Sequence, residues 1–329
     1  LFVFIMGVSI VLSLDSARRT TGLRGAWKRI LIRASLLFVF GLIYSHGLRD
    51  GAENVRILGV LQRIGICYAV GAIAFLVLRT RGLIVLCAAI LLGYWALLTQ
   101  IPVRDISLER KAIAARLAAT GETAAQAFER TDVWVKGPLD PGRNFPNHFD
   151  FQYLPGRMYD GLYDPEGIIS NIPAIATCLF GIFAGMLLKR RTLSDQEKVK
   201  WLAIGGVAAL VVGFAWGTQF PIIKQLWTSS YVLVAAGWSA LLMAAFYQIV
   251  DIWGYQRWAL PFVWIGMNPI AIYLARNFCS FPALAERLVG GPIKGGLGPF
   301  GPMLVAIVEL GLSVLFVWYL HRRRIFLRL

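Results

Sequence analysis

An amide and a charge stand side by side within an apolar stretch: Gln62 and Arg63, inside the run from Ile57 to Leu78. A run of this length is a membrane span. A guanidinium inside one costs about 2.5–3.5 kcal/mol at mid-helix, so it is kept for a task or held by a partner. Arg56 lies seven residues before Arg63, which puts both on about one helix face, two turns apart. Arg56, Gln62 and Arg63 therefore form a candidate polar wall for an anionic or sugar-bearing ligand, running from the outer surface into the bilayer.

Asp164 and Glu166 stand in Tyr163-Asp164-Pro165-Glu166-Gly167, where a long loop enters a later span. Two carboxylates here are able to bind a sugar hydroxyl or receive the proton of an amine. The same pattern also serves as a helix cap, with acidic groups at the favourable end of the dipole. His148, in the same loop, and His46 are candidate general bases on pKa grounds, although a lone histidine at an interface is more often solvated. His321 opens a basic cluster and is read as structural.

Leu226-Trp227-Thr228-Ser229-Ser230-Tyr231 enters another span from the same side. Trp227 and Tyr231 suit an interfacial belt. With the Ser229 hydroxyl they also suit carbohydrate. In Gly266-Met267-Asn268-Pro269 the proline breaks a span and frees backbone groups, which must line a cavity or find partners. Asn268 is then a candidate lining residue. The four cysteines, Cys67, Cys87, Cys178 and Cys279, form no CxxC pair. Neither a metal site nor a disulfide framework is expected. No nucleophile elbow, Walker loop or His-Glu-x-x-His helix is present.

These residues need a scaffold, and composition names it. The chain has 329 residues, 57% hydrophobic and only 16% charged, where a soluble domain carries about 25% charged residues. The expected fold is an all-α polytopic membrane protein with an outward-facing loop cap. About nine transmembrane helices are expected, at roughly 1–14, 29–48, 57–78, 82–101, 167–188, 201–219, 230–250, 258–276 and 302–320. The net charge of +15 does not imply nucleic acid, because the basic residues gather at span ends. Seventeen lie in alternate loops, among them Arg18, Arg19, Arg24, Lys189, Arg190, Arg191 and Arg322 to Arg324; six lie in the short loops between. That bias places the C-terminus in the cytoplasm and Leu1 outside.

The whole chain, 1–329, reads as one transmembrane domain, with 102–166 as its outward cap. The first half of the cap, Leu108 to Arg130, is Ala-rich and helical in expectation. The second half, rich in Pro, Gly and aromatics, suits a folded irregular segment. A further Gly- and Pro-rich outward segment covers Asn277 to Pro302. There is no internal repeat of the kind built into many transporters. No GxxxG-type face stands out, so a homo-oligomer is left open. The first apolar segment, Leu1 to Leu14, is too short for a full span, and the reading is a chain that continues upstream.

Five stretches together resemble the heparan-α-glucosaminide N-acetyltransferase family, most closely its bacterial members. They are Phe2-Val-Phe-Ile-Met-Gly7, Gly59-Val-Leu-Gln-Arg63, Asp164-Pro-Glu-Gly167, Leu226-Trp-Thr-Ser-Ser-Tyr231 and Gly266-Met-Asn268. They occur in family order over nearly the whole chain. The resemblance implies a bacterial inner-membrane acyltransferase that takes acetyl from cytoplasmic acetyl-CoA. The acceptor is an amino-sugar or glycan amine on the far side, and membrane lipid is the surrounding partner. Arg56, Gln62, Arg63, Trp227, Ser229, Tyr231 and Asn268 would bind substrate, and Asp164, Glu166 and His148 would carry the chemistry. The alternatives are a sugar or glycan-intermediate permease without acyl transfer, and an O-acetyltransferase of an envelope glycan.

The resemblance also places a catalytic histidine shortly before Phe2. It predicts that these 329 residues alone do not acetylate glucosamine while a version extended upstream does. Equal product from the two would sink that prediction.

Overall fold

The computed structural model describes residues 1–45, 47, 51 and 54–326, without the side chains of 16–19, 21 and 276–278. His46 and Arg49 fall outside the described residues, as do the side chains of Arg18 and Arg19.

The chain opens with α1 (Phe2–Tyr44), interrupted at Gly22 by φ 71° and ψ −174°, a conformation that glycine adopts without a Cβ clash. The spans expected at 1–14 and 29–48 are thus two legs of one interrupted helix. Then come α2 (Val60–Val77) and α3 (Thr80–Gln100). Only Leu78 and Arg79 separate them.

The segment between α3 and the next long helix contains β1 (Pro102–Arg104), α4 (Arg110–Thr120), α5 (Ala124–Arg130), β2 (Trp134–Lys136) and α6 (Phe145–Tyr153). The long helices resume with α7 (Asn171–Leu188), α8 (Asp195–Gly217) and α9 (Ser229–Phe246). Ser194 and Glu197 form a reciprocal capping box at the start of α8, which satisfies two orphan N–H groups there. A π-helical turn, Tyr247–Ile252, follows α9. Last come α10 (Leu260–Met267), α11 (Pro269–Phe278), α12 (Phe281–Val289), α13 (Pro292–Gly296) and α14 (Gly301–Arg322).

Among the described residues six helices are long and apolar enough to cross a membrane. A seventh span arises if α10 and α11, bent by 70° at Asn268–Pro269, count as one; Phe2–Asp15 is a shorter apolar helix. The chain is therefore a helical, polytopic membrane protein, with six or seven qualifying spans among the described residues, where about nine were expected. The break at Asn268 has the expected cause, since Pro269 cannot donate to the helix ladder.

Two compact units divide the chain, Leu1–Tyr247 and Gln248–Leu329. In the first, α7 packs against α1, α2, α3 and α9, and α8 pairs with α9. Its core contains Ile10, Leu14, Ile30, Cys67, Tyr68, Ala72, Cys178 and Ile182, all essentially inaccessible. In the second, α14 packs against α10, α11 and α12.

The 101–170 segment carries its own small core of Ile106, Leu108, Ala127, Phe128 and Tyr163. The two strands pair antiparallel, Val103 opposite Val135. The expected Ala-rich helix is present as α4 and α5. The helix α6 and the strand pair were not foreseen, because three-residue strands and a nine-residue helix give almost no periodicity.

Close helix contact in the first unit depends on Gly7 and Gly181. A Cβ on Gly181 would lie 1.9 Å from the Phe4 carbonyl oxygen, and one on Gly7 would lie 2.1 Å from the Cys178 carbonyl oxygen. Small residues are what let helix backbones approach in a membrane. Gly181→Ala is therefore expected to destabilise the bundle by about 1–3 kcal/mol. Thermal unfolding of the protein in detergent checks it, and an unchanged midpoint would contradict the close α1–α7 contact.

Candidate functional site

Three stretches distant in sequence meet at one end of the first unit: the strand-like lead into α2, the turn before α7, and the turn before α9. The lead is held by a backbone bridge between Arg56 and Gly156, with Arg157 N donating to Val55 O at 3.1 Å. This fixes Arg56 outside α2, in extended conformation. The expectation that Arg56 and Arg63 share one helix face is corrected here, since the helix begins only at Val60.

Arg56 grips the second stretch with a fork. Its Nε donates to Asp164 Oδ2 at 2.8 Å and its Nη2 to Asp164 Oδ1 at 2.7 Å; Nη2 also donates to Glu166 Oε2 at 2.8 Å. Paired donors of this geometry are among the stronger hydrogen bonds in proteins. Asp164 further accepts the backbone N–H groups of Tyr159 and Glu166 at 3.0 and 2.9 Å, and its side chain is wholly buried. Burial acts to lower the Arg56 pKa, but the two carboxylates outweigh it and hold the guanidinium above its ordinary value.

Glu166 differs from Asp164. Its side chain is 21% exposed and its Oε1 has no hydrogen bond among the described residues. Burial raises its proton affinity and Asp164 adds to that, while Arg63 and Arg56 act the other way; the net direction is upward.

Arg63, only 4% exposed, ties the first turn of α2 to the start of α7. Its Nε donates to Asn171 Oδ1 at 3.1 Å, and Nη2 to Pro165 O at 2.7 Å and Ser170 Oγ at 2.5 Å. These partners are all neutral. The Trp227 ring covers the guanidinium at 4.7 Å, a cation–π contact that strengthens when water is excluded. Nη1 remains without a partner among the described residues. Gln62 is 1% exposed, and its Nε2 is likewise buried and unpaired. Its amide lies against Gly41, where a Cβ would come within 2.3 Å, and beside Gly59 and the Arg56 guanidinium.

Trp227 has φ 54°, an uncommon conformation for a bulky residue and of the kind that clusters at functional sites. Its Nε1 donates to Thr177 Oγ1 at 3.1 Å, and its ring meets Tyr231 edge-on at 5.3 Å. The Tyr94 hydroxyl holds the preceding carbonyl, Leu226 O.

The remaining expected residues are engaged elsewhere. The Ser229 hydroxyl is fully buried and donates to Leu91 O at 2.7 Å. It ties α9 to α3 and has no surface left for a sugar. His148 is buried in the 101–170 segment, edge-on to Phe128, with Nε2 3.0 Å from Ile106 O and 3.1 Å from Gly142 O. Both neighbours are acceptors, so Nε2 carries the proton, and burial lowers the pKa. The ring therefore packs and bridges loops. Asn268 belongs to the second unit, where it is buried and its Nδ2 donates to Ile325 O at 3.1 Å.

Three participants escaped sequence reading. Ser170 and Asn171 are ordinary polar residues at a span entrance, and only Arg63 gives them meaning. Asp150 on α6 is the third. Its carboxylate accepts the Ile168 N–H at 2.9 Å and presses on Gly167, where a Cβ would lie 1.7 Å away. Burial pushes its pKa up to about 7. An acid between two phenylalanines, Phe149 and Phe151, was the available signal.

At the opposite end of α2 a cavity of about 1020 Å³ opens between Val11, Leu12 and Asp15, Phe75, Thr80 and Ile84, and Phe183, Met186 and Leu187. Lys189, Arg190 and Arg191 stand at its rim. Lys189 pairs with Asp15, whereas Arg190 and Arg191 have no carboxylate partner among the described residues.

No family model matches the chain. It is similar to human heparan-alpha-glucosaminide N-acetyltransferase, 27% identical over 366 residues. The mouse protein of the same name is 27% identical over 383 residues. Each alignment takes in 99% of this chain, but the chain spans only about half the length of these relatives, 52% and 53%. The two matches are to proteins named for the family that the five motifs resemble.

Asp150 gives a signed pH dependence. Its folded pKa lies above the unfolded value of about 3.9, so the folded state binds the extra proton. Stability is then greatest at low pH and falls as pH rises from about 4 to about 7. Asp150→Asn keeps an acceptor for Ile168 N–H and removes the titration. Hydrogen exchange of the 145–170 backbone between pH 5 and 8 should show protection falling in the parent and level in the variant; parallel curves would refute the assignment.

Proposed function

We propose that this chain forms the core of a transmembrane acetyltransferase. It takes acetyl-CoA at the Arg190–Arg191 cavity and delivers the acetyl group to an amino-sugar amine beside Glu166. The observation that carries the reading is a division of labour between the two ends of α2. One end offers unpaired cations above an apolar cavity. The other offers a half-buried carboxylate, a buried donor at Gln62 Nε2 without a partner among the described residues, and the Arg63 guanidinium. The similarity to named N-acetyltransferases supports the same reaction class.

The reaction is aminolysis of a thioester. An ammonium must lose a proton before its nitrogen can attack. Glu166 suits that step, because burial has raised its affinity for a proton and Oε1 is free to accept one; proton transfer to a placed base is worth about 10²–10⁴-fold. As the C–N bond forms, negative charge collects on the acetyl oxygen. The Gln62 Nε2 group is a buried donor and the Arg63 guanidinium is a held cation beside it, the kind of preorganised donor set that stabilises such charge. The C–S bond then breaks, and the sulfur takes up the second proton shed by the nitrogen, so the coenzyme leaves as its thiol. Asp164 has every oxygen engaged, so its part is to aim Arg56 and Glu166. Trp227 shields Arg63 from water.

The two ends are Arg63 and Phe75, twelve residues apart, or about 18 Å along a helix at 1.5 Å per residue. Tyr68, Cys67, Cys178 and Ile182 fill the space between as packed core. A coenzyme arm entering from the cationic rim must part these side chains. On the charge bias of the loops, that rim faces the cytoplasm and the Glu166 end faces outward, in a bacterial inner membrane.

The test uses a version extended upstream, beside the 329-residue chain, in lipid nanodiscs with acetyl-labelled acetyl-CoA and glucosamine. Labelled N-acetylglucosamine is expected. Activity should climb with pH through the raised pKa of Glu166, since the base works unprotonated. Glu166→Gln should lose that limb and about a hundredfold or more in kcat. Replacing Arg190 and Arg191 by alanine should raise KM for acetyl-CoA and leave KM for the sugar unchanged. Transport of unmodified sugar into vesicles with no acetylated product would make the chain a permease instead, and acetyl on a hydroxyl would make it an O-acetyltransferase.

A further inference from the structure

Tyr159 is a large aromatic left 66% exposed beside the Arg56–Asp164–Glu166 cluster. Nothing in the motif reading singled it out. Its backbone N–H is bound to Asp164 Oδ2 at 3.0 Å, the same carboxylate that holds Arg56. Its ring lies 5.1 Å from the Arg56 guanidinium carbon. Beyond Arg56 stands Glu166, bound through Oε2 and open at Oε1. The tight turn that follows is closed by Gly161 N donating to Met158 O at 3.2 Å, with Gly161 at φ 98°. An exposed ring is thus held in place by its backbone and by a cation, with a free carboxylate oxygen two steps along.

We infer that Tyr159 is the platform on which the acceptor amino sugar stacks, with Glu166 Oε1 receiving its ammonium group. A pyranose has an apolar C–H face and a polar rim. It is matched by an aromatic face flanked by charged groups that reach the rim, a few placed polar groups fixing orientation. A neutral sugar would find the ring but no use for the carboxylate, so the pairing selects an amine. Arg56 orders the ring and leaves most of it to solvent. The inference rests on the acyl-transfer reading for the identity of the acceptor, but recognition of the sugar is separable from transfer.

Saturation-transfer NMR on the full chain in nanodiscs, with glucosamine and no acetyl-CoA, separates the two. Transfer from aromatic protons to the sugar C–H face is expected in the parent. Tyr159→Ala should weaken binding about tenfold. Tyr159→Phe should bind as the parent, and it controls for folding, as does the retained backbone N–H in both variants. Glu166→Gln should erase the preference for glucosamine over N-acetylglucosamine. Binding that depends on Tyr159 supports this inference whether or not acetyl transfer is seen. Tyr159→Ala binding like the parent would overturn the inference and leave Tyr159 as an interfacial anchor against lipid. A parent chain that binds no glucosamine would overturn it as well.

Discussion

A buried cation with only neutral partners is the constraint on which this structure turns. Arg63 sits in the first turn of a membrane span and cannot be left bare, since the cost in hydrocarbon is several kcal/mol. The chain meets it with an amide from the first residue of α7, a hydroxyl and a carbonyl from the turn before it, and the face of Trp227. Every one of those groups must then be held in place. Ser170 and Asn171 bond back onto the same turn, through Pro165 O and Gly167 O. Trp227 is held in a left-handed conformation by the loop before α9 and by Thr177. One charge thereby organises the entrances of three helices.

The carboxylates around it are sorted by exposure and by partners. Asp164 is saturated with donors and inaccessible, so its charge is used to position. Glu166 shares one oxygen with Arg56 and keeps the other. Asp150 has lost most of its solvent and gained few donors, so it sits near neutrality in proton affinity. The three are close in space, and what separates them is the number of N–H groups each receives. Gly167 belongs to the same logic, because a side chain there would occupy the space of the Asp150 carboxylate.

Much of this was legible in the residues. The hydropathy pattern placed α2, α3, α7, α8, α9 and α14 to within a few residues, because apolar length is read directly. The motif Gly59 to Arg63 and the motif Asp164 to Gly167 were each visible as polar anomalies at span entrances. Their pairing was not visible, since no periodicity relates Arg56 to Asp164 across 108 positions. His148 and Ser229 show the converse difficulty. Both have reactive atoms, and both spend them on backbone carbonyls, which residue type does not disclose.

The sequence by itself determined that the chain is a helical membrane protein, roughly where most of its long helices lie, and that polar groups collect at one set of entrances. Those properties follow from local apolar length and from the price of charge in lipid, both of which are local in the chain. Only the tertiary structure decided which carboxylate is spent and which is free, which arginine grips and which is buried, and that Asp150 and Tyr159 belong to the same place. These depend on how many donors reach each atom and how much water remains. Both quantities are set by segments a hundred residues apart coming together.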